Sequence, residues 1–171
     1  MHKLQIREIT LYALLGSLLF ALKMAMAGLP NIEPVSLLVM VYAVVFGRKS
    51  LWAIYIYVLL ECLTFGINTW TAAYLYIWLI LFFLARLLRH MDSSLSWAIL
   101  SAAFGLCFGL LCTPLCLLSG GWGYAVSWWL SGIPYDLLHG AGNFAMALLL
   151  FHPCRRMLEI LHQRYEKGAP V

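Results

Sequence analysis

Three side chains that could handle charge or protons follow one another in an otherwise apolar segment, residues 121–150. They are Asp136, His139 and Asn143, separated by three and four positions. In a helix, side chains at these offsets share one face. An ionisable side chain within a membrane helix is costly, so it indicates a functional site. The sequence therefore predicts that this face takes part in binding or proton chemistry.

Aromatic residues precede this face, at Trp122, Tyr124, Trp128 and Trp129. Their rings are flat and apolar, with a polar atom at the edge. Such rings can stack on a flat ligand, and they can equally form the aromatic belt of a membrane protein at the lipid–water interface. Both interpretations are open at this point.

Further polar and aromatic residues occur near the predicted helix ends, in the loop 28–34, in the third apolar run and in the turn after it. Any one of them could simply hydrogen-bond between helices. Together they favour a binding cavity for a small molecule. The predicted substrate-binding residues are Asn31, Glu33, Glu61, Asn68, Trp70, Trp128, Trp129, Asp136, His139 and Asn143.

Other chemistries have weak signals. A metal site on Asp136 and His139 would need a third ligand from Glu33 or Glu61, and no His-rich or Cys-rich spacing accompanies them, so no metal is expected. No nucleophile motif or phosphate-binding glycine loop is present, so we expect no enzyme, no catalytic residue and no cofactor. Two alternatives stay open: a small intramembrane enzyme that uses Asp136 and His139 as an acid/base pair, and a stand-alone carrier.

The composition indicates a protein whose solvent is the bilayer. Hydrophobic residues make up 64% of the chain and charged residues only 11%, with a mean hydropathy of +0.89. Soluble domains have about a quarter charged residues. The apolar runs are continuous and do not alternate, which favours helices over a β-barrel. We therefore predict an all-α, polytopic membrane protein in which residues 1–171 form a single integral membrane domain.

The apolar runs predict a bundle of six transmembrane helices with short loops. A short interfacial helix is expected at 124–130, Pro134 is expected near the start of the last span, and Pro153 at its end. The second span is short for a full crossing. The predicted spans are 7–27, 35–46, 50–65, 71–88, 94–118 and 134–152.

The placement of basic residues predicts the orientation. With six spans, ten of the eleven Lys and Arg residues fall on one side, which the positive-inside rule assigns to the cytoplasm together with both termini. The exception is Lys23, which could reach the interface or pair with an acid in a cavity. The ten are Lys3, Arg7, Arg48, Lys49, Arg86, Arg89, Arg155, Arg156, Arg164 and Lys167.

A row of small residues runs along the first helix at intervals of four: Ala13, Ser17, Ala21 and Ala25. Such a row allows another helix to approach closely. The partner could be a helix of this same chain or a second membrane protein, and the spacing does not separate the two.

Taken together, these features resemble one known family. Six spans in a chain of this size, the small-residue row on the first helix, and the segments LPNIEPVSLLV (29–39) and SGIPYDLLHGAGN (131–143) are similar to the substrate-binding S components of bacterial energy-coupling factor (ECF) transporters. Ser17 departs from the alanines that are usual in the row, but it is still small.

The resemblance implies a role in the bacterial cell membrane. An S component binds a vitamin or related micronutrient on the outer side. It then docks, through the small-residue row, on a transmembrane coupling (T) subunit that two cytoplasmic ATPase subunits drive. The net charge of +4 is not a signal for nucleic-acid binding, so no nucleic-acid partner is expected. Pyridoxine-like, pyrimidine and cobalamin ligands all stay open.

Overall fold

In the computed structural model, residues 6–29 and 31–167 are described, and all their regular elements are helical. Lys3 lies outside the described residues. The all-α prediction is confirmed. The elements are α1 (Ile6–Ala25), α2 (Val35–Phe46), a 3₁₀ turn (Gly47–Lys49), α3 (Ser50–Phe65), α4 (Thr69–Leu87), α5 (Ser94–Leu106) and α6 (Phe108–Glu166).

Within the described residues, four helical segments are long and apolar enough to cross a membrane: Ile6–Ala25, Val35–Phe65, Thr69–Leu87 and Ser94–Glu166. The predicted division into six separate helices is therefore not clear-cut. Two of the four segments contain an internal break. The chain turns tightly at Gly47, where φ is +60°, and bends at Gly121, where φ is +74°. A glycine adopts these backbone angles without the steric cost that other residues bear.

The segment Ser94–Glu166 is folded back on itself at Gly121. Gly105 lies against Gly140, and the rings of Trp97 and Phe151 stack with centroids 4.2 Å apart. The first contact joins residues close to Gly121, and the second joins residues farther from it on both sides. The two arms of the segment therefore run antiparallel. This hairpin brings the polar face of 136–143 against α5 and the start of α6.

Three predicted boundaries in this region are wrong. The helix runs through 124–130 without forming a separate interfacial helix, continues through Pro134, and continues through Pro153 to Glu166. A proline removes one backbone hydrogen bond from a helix. In tightly packed membrane helices that loss is tolerated because neighbouring groups satisfy the freed carbonyl. The chain bends at Gly121, the glycine with a positive φ, within the predicted break at 119–121.

Contacts among α1, α2 and α3 fix their relative directions. Glu8 pairs with Lys49 near the start of α1, and Lys23 pairs with Glu61 near its end, so α1 and α3 run parallel. The helix α2 runs opposite to both, since the Tyr42 hydroxyl donates to the Leu15 carbonyl and Phe46 packs against the Tyr12 ring.

The short helix α2 lies at the centre of the bundle. Ten of its twelve residues are buried. A helix that is apolar on all sides is expected in such a position. Its short length is therefore compatible with its place, because it packs mainly against other helices of the chain.

The described basic residues, apart from Lys23, lie at one end of the bundle: at the start of α1, in the 3₁₀ turn, at and after the end of α4, and in the last turns of α6. The end of α6 is held there, because the Arg7 guanidinium lies 4.3 Å from the centre of the Tyr165 ring. His162 packs on Phe46 with ring centroids 5.0 Å apart.

The small-residue row of α1 is not what packs α1 onto the chain. Ser17, Ala21 and Ala25 are exposed and Ala13 is half-buried. The packed face of α1 carries Gly16 instead, where an added Cβ would lie 2.6 Å from the carbonyl oxygen of Ala53 in α3. The row is thus left facing outward from the bundle.

The close approach of the hairpin arms gives a first testable prediction. A Cβ at Gly105 would lie 2.9 Å from backbone atoms of His139 and Gly140, so the arms must separate in Gly105→Ala. Overpacking of this kind costs about 1–3 kcal/mol. We expect a lower thermal unfolding midpoint in detergent.

The matched control is Gly123→Ala, where nothing lies within 4 Å of the added Cβ. Alanine is a better helix former than glycine by about 1 kcal/mol, so this variant should be as stable as the wild type or slightly more stable. Equal stability of the Gly105→Ala variant and the wild type would contradict the described packing.

Candidate functional site

A cavity of about 580 Å³ lies where the ends of α1 and α3, the start of α4, the loop before α2 and the hairpin meet. Its lining is mostly apolar with a few polar groups. The lining residues are Lys23, Met24, Met26, Ala27, Leu29, Asn31, Ile32, Glu33, Phe65, Trp70, Tyr74, Phe108, Gly109, Cys112, Trp128, Ser131, Gly132, Tyr135, Asp136 and His139.

The size and position of the cavity suit a small molecule. Ligand pockets in proteins measure roughly 300–1,000 Å³ and combine apolar walls with a few polar groups. The cavity is at the end of the bundle opposite to the basic residues. Two of its lining rings, Trp70 and Tyr135, are 40% and 55% exposed, so a ligand can reach it from outside the protein.

Six of the ten predicted binding residues line this one cavity although they come from four different parts of the chain. The structure thus brings together the loop before α2, the start of α4 and two turns of α6. The six are Asn31, Glu33, Trp70, Trp128, Asp136 and His139.

The other four do not line the cavity, and two of these have structural hydrogen bonds. Asn68 caps α4: its side-chain oxygen accepts from the Trp70 and Thr71 amides. Asn143 is buried and donates to the Ser36 hydroxyl and the Ser101 carbonyl, which joins α6 to α2 and α5. The geometry therefore favours structural roles for these two amides, Asn68 as a helix cap and Asn143 as a link between helices.

Trp129 and Glu61 also lie outside the lining. Trp129 is 37% exposed on α6 next to Trp128, which does line the cavity. Glu61 is buried behind the cavity wall and is tied to Lys23. It acts on the cavity by neutralising Lys23 and by its charge on Glu33.

Lys23 is the charged lining residue that the predicted binding set omitted. Its ammonium lies 2.5 Å from Glu61 Oε2 and 3.3 Å from the Tyr74 hydroxyl. The same ammonium lies 4.8 Å from the centre of the Trp70 ring and 5.1 Å from that of Tyr74. Its position in the sequence indicated this, because Lys23 is the one Lys or Arg residue that the six predicted spans do not place on the cytoplasmic side.

Asp136 is positioned by the start of α6. Both of its carboxylate oxygens accept from the Gly109 amide, at 3.0 and 3.1 Å. The helix is interrupted just before, at Cys107, so the carboxylate satisfies one of the amides that a helix N-terminus leaves free. A Cβ at position 109 would lie 2.5 Å from Asp136 Oδ2, so a glycine is needed there.

His139 lines the cavity and carries a buried polar atom. It is 3% exposed, and its Nε2 has no hydrogen-bond partner among the described residues. Its ring packs on Phe108 with centroids 4.9 Å apart. Buried polar groups are almost always hydrogen-bonded, so an unpartnered one at a cavity wall points to a group that a ligand or water supplies.

Glu33 lies in the loop between α1 and α2 and is half-buried. Burial raises the pKa of its carboxyl from 4.5 to about 7, against the opposing effect of Lys23 and with a smaller contribution from Glu61. The carboxyl is therefore poised to ionise near neutral pH.

The lining residues that the sequence analysis missed, apart from Lys23, are apolar or small side chains such as Met24, Phe65 and Tyr74. In a chain with this much apolar sequence they carry no local signal. Among the described residues, no group of three or more His, Cys, Asp or Glu side chains could hold a metal ion.

Comparisons with known proteins found no family model, no curated protein and no solved structure that matches this chain.

Proposed function

We propose that this protein is the substrate-specificity subunit of an ECF-type transporter. In this role it binds a vitamin-like molecule in the cavity from outside the cell and delivers it by docking on a transmembrane coupling subunit that two cytoplasmic ATPases drive. The observation that carries the proposal is the cavity of about 580 Å³ at the end of the bundle opposite to the basic residues.

The positive-inside rule supports this orientation. Lys and Arg residues remain preferentially in the cytoplasm. With the basic end inside, the cavity faces the external medium, where a nutrient would be captured. The exposed rings of Trp70 and Tyr135 would then be the first groups that the ligand meets.

We further propose that the four apolar segments make six crossings. In this arrangement α2 and α3 cross separately on either side of the turn at Gly47–Lys49, and the hairpin crosses twice on either side of Gly121. The helix α2 has only 12 residues, which corresponds to about 18 Å at 1.5 Å per residue. This is less than the roughly 30 Å of the hydrocarbon core. Its position inside the bundle means that the other helices, rather than α2, would meet most of the lipid.

The outward-facing row Ser17, Ala21 and Ala25 supports docking on a second membrane protein. Small residues permit the close backbone contact by which helices associate in lipid. Since α1 packs on its own chain through Gly16, this row is available to another helix.

Vitamin binding is tested with a panel of water-soluble vitamins and the purified protein in detergent. One member should change the intrinsic tryptophan fluorescence saturably. Trp128→Leu removes a flat face from the cavity, and such contacts are worth about 0.5–1.5 kcal/mol, so affinity should fall by about 2- to 10-fold. Trp129→Leu is the matched control and should bind as the wild type does. If no vitamin binds, or if the two variants weaken binding equally, the site assignment is wrong.

The docking surface is tested by widening one residue of the row. Ala21→Trp should leave vitamin binding by the purified protein unchanged and reduce uptake of that vitamin by cells about tenfold or more, because a bulky ring prevents close helix contact. Leu75→Trp is the control, because Leu75 is also exposed on a helix but lies on α4, away from the row and the cavity. Normal uptake by the Ala21→Trp variant would refute the docking role.

A further inference from the structure

Three charged residues line the cavity: Lys23, Glu33 and Asp136. Which of them can still bind a ligand depends on the contacts that each already makes within the chain. The charged groups that have no partner within the chain determine which ligand charge the cavity accepts.

The ammonium of Lys23 is already used. It has three N–H donors. Its contacts are the Glu61 carboxylate, the Tyr74 hydroxyl and the ring face of Trp70. Glu61 also neutralises its charge at 2.5 Å, with side chains that are only 11% and 1% exposed. The pair therefore presents neither a free donor nor net positive charge to the cavity.

The carboxylates of Glu33 and Asp136 still have hydrogen-bond acceptor capacity without a partner in the described part of the chain. Asp136 shares a single amide N–H between its two oxygens, although a carboxylate can accept about four hydrogen bonds. Glu33 makes no hydrogen bond or ion pair with a described residue and feels Lys23 only at longer range. The cavity thus offers negative charge and hydrogen-bond acceptors that lack donors.

The unpartnered Nε2 of His139 is an independent observation. The side chain is almost wholly buried in the cavity wall, and its Nε2 has no hydrogen-bond partner among the described residues. A ligand with polar atoms is therefore expected on the same side as Asp136.

The rings of the cavity add a preference for a flat cation. Aromatic faces attract positive charge within about 6 Å and stack on flat groups. The Lys23 ammonium already lies over the Trp70 and Tyr74 rings, so a second cation would stack on the other lining rings. The lining rings are Phe65, Trp70, Tyr74, Phe108, Trp128 and Tyr135.

From these contacts we infer that the cavity binds an organic cation: a flat ring that bears a positively charged group with N–H donors for Glu33 and Asp136. The inference rests on the proposed function in that it names the charge class of the molecule captured by the same site. An anionic ligand would meet two carboxylates and a lysine that is already paired. A bare metal ion would lack ligands among the described residues.

The ionisation of Glu33 adds a pH dependence. Burial raises the pKa of its carboxyl to about 7, and Lys23 and Glu61 are the charged groups that act on it. A cation binds the ionised carboxylate in preference to the protonated acid. Affinity for cations should therefore rise between pH 6 and pH 8, and Glu33→Gln should reduce that rise.

The test uses nine probes: the aminomethyl, hydroxymethyl and carboxylate derivatives of benzene, pyridine and naphthalene. Binding to the purified full-length protein is measured by equilibrium dialysis at up to millimolar concentration. For each ring, the aminomethyl compound should bind about tenfold more tightly than the carboxylate, the difference expected from one charge-assisted hydrogen bond. Equal or tighter binding of the carboxylates, or no binding by any probe, would overturn the inference.

A matched pair of variants locates the effect. Glu33→Gln should reduce the preference for the aminomethyl probes, whereas Glu159→Gln should preserve it, because Glu159 pairs with Arg155 in the last part of α6. Equal effects of the two substitutions would also overturn the inference. The preference of the wild type does not depend on whether either variant folds.

The two proposals fail differently. If the aminomethyl probes bind but cells take up no vitamin through this protein, the transport function fails and the charge class stands. If an anionic vitamin is bound and taken up, the charge class fails and the transport function stands.

Discussion

The buried ion pair between Lys23 and Glu61 is the interaction on which the site depends. Removing two charges from water costs several kcal/mol each, and only their close mutual attraction and further hydrogen bonds compensate for it. At 2.5 Å, and with the Tyr74 hydroxyl as a second partner, neither group can be removed alone without leaving a buried charge. The pair joins α1 to α3 behind the cavity and cancels the positive charge of its lining lysine.

The hairpin supplies the other side of the site under a steric constraint. Glycines at 105 and 109 let the two arms approach closely, and the Asp136 carboxylate then reaches the amide at the start of α6. Asp136 therefore accepts a structural hydrogen bond and also lines the cavity. The same packing fixes His139 next to Phe108 and turns it toward the cavity. A frame of close backbone contacts thus holds a polar group where lipid-like surroundings would otherwise disfavour it.

The sequence predicted those features that depend on local composition. Continuous apolar runs predict helices, and polar residues are rare enough in such runs that Asp136 and His139 could be singled out, and both line the cavity. The sequence did not separate Asn143 and Asn68 from the binding groups, because an amide that bonds a neighbouring helix looks the same in sequence as one that bonds a ligand. Prolines suggested helix ends at 134 and 153, but tertiary packing carries the helix through both. Lys23 was left unassigned because its partner lies 38 positions away in the chain.

A double-mutant cycle on Lys23 and Glu61 tests most directly whether the charge of this lysine is paired with Glu61 and is therefore not available to a ligand. The free energy of unfolding in detergent is measured for the wild type, Lys23→Met, Glu61→Leu and the double variant. We expect each single variant to lose about 3–5 kcal/mol, since it leaves one buried charge unpaired, and the double variant to recover most of that loss. Additive losses in the double variant would show that the two charges are not coupled, and they would contradict the account.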